Sequence, residues 1–163
     1  MLNKINFLFV SLFGIGKIKK IPGSFASLST TLFLFFLFHI LNVSPNIILF
    51  AIIIVFLISL YAVNVFIKDL TNKDPKEIVI DEFIGQMLPL LSLPVYETLY
   101  PAPQFYYCVT AFILFRIFDI WKPFPIDYVD NNIEGALGII LDDIVAGIYT
   151  IIILTIIFFF LGA

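Results

Sequence analysis

The sequence predicts an all-α fold: a polytopic membrane helical bundle of about five transmembrane helices, preceded by an N-terminal interfacial helix. Three observations predict it. Only 13% of the 163 residues are charged, against roughly 25% in soluble globular domains. Hydrophobic residues make up 61%, with 20 Phe and a mean hydropathy of +1.10, which leaves too little polar surface to cover a globule in water. The apolar residues also fall in runs close to the roughly 20 residues that a helix needs to cross about 30 Å of hydrocarbon. A disordered chain, a nucleic-acid-binding domain and an ordinary water-soluble enzyme are thereby excluded, and the expected partner is the bilayer. One Cys excludes a disulfide framework or a Cys-rich metal site, and one His excludes most chemistry that needs two imidazoles. The length suggests a single domain over 1–163, with no repeat of fixed period.

Residues 1–20, MLNKINFLFVSLFGIGKIKK, have the basic start and apolar run of a signal peptide. No small-x-small cleavage site follows, and Lys17, Lys19 and Lys20 crowd the wrong side of the run. An amphipathic helix on the cytoplasmic face, its lysines meeting anionic head groups, fits better. Spans are expected at about residues 25–41, 46–67, 106–121 and 139–161. They are read as helices because an open sheet in lipid would leave its edge groups without hydrogen bonds. A weaker stretch, 83–99, is interrupted by Pro89 and Pro94.

The lysines decide whether that stretch crosses. Lys4, Lys17, Lys19 and Lys20 precede the first span, Lys68, Lys73 and Lys76 follow the second, and Lys122 follows the 106–121 span. About five crossings with the N-terminus inside put every basic loop in the cytoplasm, as the positive-inside rule asks. Asp69, Asp74 and Glu77, mixed with lysines, read as a solvated loop.

The informative residues are ionisable groups at the ends of spans, where a charge is costly unless paired, ligated or facing water. Asp81 and Glu82 open the third span, Arg116, Asp119 and Lys122 close the fourth, and Asp142 and Asp143 start the fifth. All three clusters fall at one depth on the cytoplasmic side, as does Pro22-Gly23-Ser24 with Ser27. Arg116, Asp119 and Lys122 follow one another at intervals of three, close to one helical stripe. Adjacent acids point about 100° apart, so one of each pair is expected to face the bundle and the other to cap or brace a helix. Gly85 and Gly147 each sit one turn beyond an acid, where a small residue lets helices approach closely.

Five carboxylates against Arg116 and Lys122 leave a negative excess in a partly dehydrated space, which calls for a bound cation or for protonated acids. Oxygen-only ligands favour a hard ion, and magnesium is the usual one beside phosphates. Cations next to a carboxylate-held metal make a phosphate-handling arrangement. Singly, Arg116–Asp119 reads equally well as a structural ion pair, and Asp142-Asp143 as acids favoured by a helix N-terminus; the three clusters together favour a site. His39 reads as interfacial. Cys108 reads as packing, since its spacing from Arg116 does not fit the C-x5-R loop of a cysteine-dependent phosphatase.

The runs IPGSFASL, IVIDEFIG, FRIFDIWKPFPI and GALGIILDDIVAG resemble, in order and spacing, the phosphatidylglycerophosphatase A family over about residues 14–150. The resemblance implies a magnesium-dependent bacterial inner-membrane enzyme, active on the cytoplasmic side, that removes the terminal phosphate of the lipid phosphatidylglycerophosphate. It places the acidic motif on Asp81, Glu82 and Gly85, the Arg-Asp-Lys-Pro motif on Arg116, Asp119, Lys122, Pro123 and Pro125, and the double-acid motif on Asp142, Asp143, Ala146 and Gly147. Catalytic candidates are then Asp81, Asp119 and Asp143; metal ligands Asp81, Glu82, Asp119, Asp142 and Asp143; substrate-binding residues Arg116, Lys122, Gly23 and Ser24. Ala26 stands where the first motif usually has a second Gly, which would be strained in a loop of positive φ and harmless in a helix. Two alternatives are an ion-coupled transporter, whose acids usually lie at the midplane of inverted repeats, and a phosphatase for a related lipid such as phosphatidate. The signature of a CDP-alcohol phosphotransferase is absent, and His39 lies outside every motif, against a His-dependent membrane phosphatase.

Overall fold

The computed structural model describes residues 2–68, 75–99 and 103–161, and every regular element among them is helical. Helix α1 (Leu2–Val10) leads to a 3-10 turn at Ile15–Lys17. Its Asn6 amide donates to the Ala62 carbonyl at 2.9 Å, and the Val79 N–H donates to Val10 O at 3.0 Å. These bonds tie α1 to one end of the bundle, with Lys4, Lys17, Lys19 and Lys20 exposed there. Of the expected solvated loop, Asp69, Lys73 and Asp74 lie outside the described residues.

Helix α2 (Pro22–His39) starts with Pro in its first turn, where the missing N–H costs nothing. Ala26 is helical and fully buried, so it is unstrained in place of Gly. The hydroxyls of Ser27, Thr30 and Thr31 each donate to the carbonyl four residues earlier, at 2.8–2.9 Å, which satisfies them in apolar surroundings. Helix α3 (Pro45–Ile67) runs back.

The 83–99 stretch forms two helices, α4 (Ile80–Leu90) and α5 (Leu93–Leu99). Pro89 ends the first and Pro94 falls in the first turn of the second, as the ring geometry of proline dictates. The break is sealed from the side: Ser92 Oγ and Tyr107 Oη both donate to Pro89 O, at 2.7 and 2.9 Å. Asp81 lies at one end of this pair, and Glu97 meets His39, the last residue of α2, at 2.8 Å at the other. The broken segment therefore runs the length of α2. Tyr107→Phe is expected to lower the thermal midpoint in detergent by roughly 2–4 °C, the effect of about 1 kcal/mol in a chain of this size; an unchanged midpoint would show that the seal adds no stability.

Helix α6 (Gln104–Trp121) returns to the first end, a short α7 (Ile126–Asn132) follows, and α8 (Gly135–Leu161) completes the chain. Among the described residues three helices are long and apolar enough to cross a membrane: Pro22–His39, Pro45–Ile67 and Gly135–Phe160. That is fewer than the five expected spans. In α6 the polar Gln104, Arg116 and Asp119 offset its apolar residues, and α4 and α5 are each too short. Two further differences bear on function. The sequence did not predict α7, and α8 starts before residue 139, so Asp142 and Asp143 lie two turns inside a helix rather than at its start.

Candidate functional site

Four helix segments meet at the end that carries α1. The first turn of α2, the first turn of α4, the last turns of α6 and the third turn of α8 surround a cavity of about 260 Å³. Among the described elements, helices α4 and α8 share the most extensive contact. At their crossing, a Cβ on Gly147 would lie 2.5 Å from Gly85 O, and one on Gly85 would lie 2.6 Å from Asp143 O. Only glycine permits this approach, and it brings the acids of α4 to those of α8.

One carboxylate oxygen from each of Asp81, Glu82 and Asp143 lies within 4.8 Å of the others. Asp81 and Asp143 are buried, and Glu82 Oε2 is buried with no hydrogen-bond partner. If all three were ionised, carboxylates at this spacing would repel one another by roughly 3 kcal/mol or more per pair at an effective dielectric of about 20. An all-oxygen donor set with an orphaned carboxylate oxygen fits a hard divalent cation. Asp119 and Asp142, the other two expected ligands, each pair with a cation. Asp119 Oδ2 is 2.5 Å from Arg116 Nη1, which stands 3.8 Å from Glu82 Oε1. Asp142 Oδ2 accepts from Lys122 Nζ at 2.7 Å.

Both acids of each adjacent pair line the cavity, where one of each pair was expected to turn away. The cavity wraps around the start of α4, because α2 and α6 close it on the sides away from α8. Asp81 and Asp142 also brace the backbone: each accepts, at 3.0 Å, from the N–H of the acid that follows it.

The chain leaves α6 at Lys122, whose left-handed backbone (φ 47°) turns it over the cavity. Its ammonium bridges Asp142 of α8 and Asp130 of α7, the latter at 2.9 Å. Burial works against that charge, but hydrogen bonds to Asp130 and Asp142 outweigh it and hold the ammonium above the ordinary lysine range. Sequence reasoning missed Asp130. Its signal was the pair Asp127 and Asp130, one turn apart directly after the Lys-Pro motif. Lys76, read as part of a solvated loop, also lines the cavity. Gly23 lines it too, and a Cβ there would overlap the Glu82 carboxylate and lie 3.0 Å from Arg116 Nη1. Ser24 does not line the cavity. His39 lies at the far end, paired with Glu97, and Cys108 is buried between helices.

A sequence profile of the phosphatidylglycerophosphatase A family matches residues 8–158. Phosphatidylglycerophosphatase A of Haemophilus influenzae is 37% identical over 153 residues, 94% of this chain and 88% of that protein. The Escherichia coli protein of the same name is 34% identical over 83% of this chain and 73% of its own length. A putative phosphatidylinositol-3-phosphatase of Bacteroides thetaiotaomicron is 38% identical over 52% of this chain and 50% of its own. No solved structure matches.

Proposed function

Since the chain belongs to the phosphatidylglycerophosphatase A family, we propose that it hydrolyses the terminal phosphate of phosphatidylglycerophosphate, giving phosphatidylglycerol and inorganic phosphate. The observation that carries this reading is the meeting of Asp81, Glu82 and Asp143 beside Arg116 in one cavity. Asp81, Glu82 and Asp143 would hold magnesium. When bound, the ion supplies Lewis-acid stabilisation of the charge that develops on phosphoryl oxygens.

The protein's own groups do the rest. Arg116, Lys122 and Lys76 present positive charge to a phosphate, and the first-turn N–H of α2 at Gly23, beside the cavity, would add a donor for its oxygens, with Ser24 next to it. Arg116 Nε is buried with no hydrogen-bond partner, a donor left for the substrate. Asp119 holds the Arg116 guanidinium in place, and Asp142 holds Lys122. Asp81, Asp119 and Asp143 are the catalytic candidates, each close enough to the cavity to take a proton from an attacking water. In the net reaction the P–O ester bond breaks, water oxygen joins phosphorus and the lipid glycerol oxygen gains a proton.

The same end of the bundle carries the exposed lysines of residues 1–20. Their distribution supports about five crossings of a bacterial inner membrane, α4 and α5 together forming one, with the cavity open to the cytoplasm. Bound lipid would keep its acyl chains in the bilayer while its head group enters the cavity.

A phosphate-release panel tests the reading. Purified protein is expected to act on phosphatidylglycerophosphate with magnesium, to lose activity with EDTA, and to act far less on phosphatidate and phosphatidylinositol 3-phosphate. Asp81→Asn and Asp119→Asn are each expected to lose at least 90% of the activity. Magnesium-independent release, or full activity in both variants, would refute it.

A further inference from the structure

We propose that the apolar groove between α2 and α6 is the seat of one acyl chain of the lipid substrate. This rests on the lipid-phosphatase reading and adds a chain-length-reading subsite to it. The groove has a volume of about 190 Å³ and is lined by Leu28, Leu32 and Phe35 of α2 and by Phe105, Val109 and Phe112 of α6. The two other lining residues are Cys108, whose thiol is only weakly polar, and Thr31, whose hydroxyl donates to Ser27 O at 2.9 Å and leaves its methyl to the wall. No polar surface is left to hold water, and α2 is among the helices able to cross a bilayer. Hydrocarbon is the occupant that such a wall accepts.

The placement of the groove directly below the cavity, along the same two helices, argues for the substrate over a bystander lipid. The same two helices frame both sites, with Gly23 and Arg116 meeting between them at the cavity. At 1.5 Å of rise per residue, Leu28 lies roughly 8 Å and Phe35 roughly 18 Å below Gly23, while Phe112 lies roughly 6 Å and Phe105 roughly 16 Å below Arg116. Both walls therefore begin and end at matching depths. A phosphate held at Arg116 places its glycerol near the top of the groove, and a long acyl chain runs its length. A six-carbon chain reaches little beyond its start.

The test uses full-length protein in mixed micelles with magnesium, on dioleoyl and dihexanoyl phosphatidylglycerophosphate. Val109→Trp and Leu28→Trp fill the groove. Each is expected to lower kcat/KM for the dioleoyl lipid at least tenfold, mainly through KM, and to change it less than twofold for the dihexanoyl lipid, whose turnover also reports folding. Phe105→Ala, at a position 67% exposed, removes the lower wall without crowding and is expected to raise the dioleoyl KM several-fold only. Parallel changes on both lipids across the three variants would overturn the groove and leave the phosphatase standing. A wild type that releases phosphate from neither lipid would overturn the phosphatase reading, and the groove with it.

Discussion

Asp143→Asn is expected to cut magnesium-dependent phosphate release at least a hundredfold while leaving the protein folded. Asn keeps the shape and removes one charge from a position only 3% exposed. In the wild type an ionised Asp143 would stand against Asp81 and Glu82 at a spacing that repels. Its loss relieves the repulsion, so the metal-free variant should melt no lower than wild type. The compensating loss is in ion binding. A ligand at 100 times its Kd stabilises the folded state by about 2.7 kcal/mol, so added magnesium should raise the wild-type melting point and barely move that of the variant. Two readouts in opposite directions separate a site residue from a structural one. Full activity in Asp143→Asn, with an unchanged response to magnesium, would remove this acid from the proposed centre.

Gly147→Val should do more damage to the molecule than any charge change. The first carbon of the new side chain meets a main-chain carbonyl, Gly85 O, at 2.5 Å, with Leu88 Cδ1 at 3.2 Å behind it. A flexible side chain could swing away, but a carbonyl inside a helix cannot. The helices must part, and overpacking of this kind costs typically about 1–3 kcal/mol. Parting them also draws Asp143 from Asp81 and Glu82, so activity should fall at least tenfold even where the protein stays folded. Gly85→Ala, facing Asp143 O at 2.6 Å and Phe115 Cε2 at 2.8 Å, is the milder form. Thermal melting and magnesium titration of both variants check this. Normal melting and normal magnesium affinity in Gly147→Val would show that the close crossing is not what sets the acid spacing.

These two predictions use features that were legible in the sequence. A carboxylate inside an apolar run is conspicuous because lipid makes it expensive, and a glycine one turn beyond it marks where a neighbour can come close. The partnering of acids was legible only within α6. The spacing of three offers the Arg116–Asp119 pair, but nothing in the sequence says that Lys122 meets Asp142; that depends on how far α6 reaches along α8. Asp130 was missed because IDYVDNN reads as a polar loop, and a seven-residue helix has too few turns for its period to emerge. The start of α8 was misplaced because Gly135, Ala136 and Gly138 dilute the hydropathy there, although Gly138 is needed where a Cβ would overlap Ile133 O. The proline breaks marked 83–99 as irregular, but the alignment of its two halves along α2 rests on side chains that come from elsewhere, Tyr107 and His39.

The early start of α8 bears on how a substrate arrives. Asp142 comes seven residues after Gly135, so about 10 Å of helix stands above the acids, with α7 packed against it. Under the proposed topology these form a parapet on the cytoplasmic side. A phosphate free in water would have to clear it before meeting Asp142 and Asp143, so the fold would screen soluble phosphates by their route of entry.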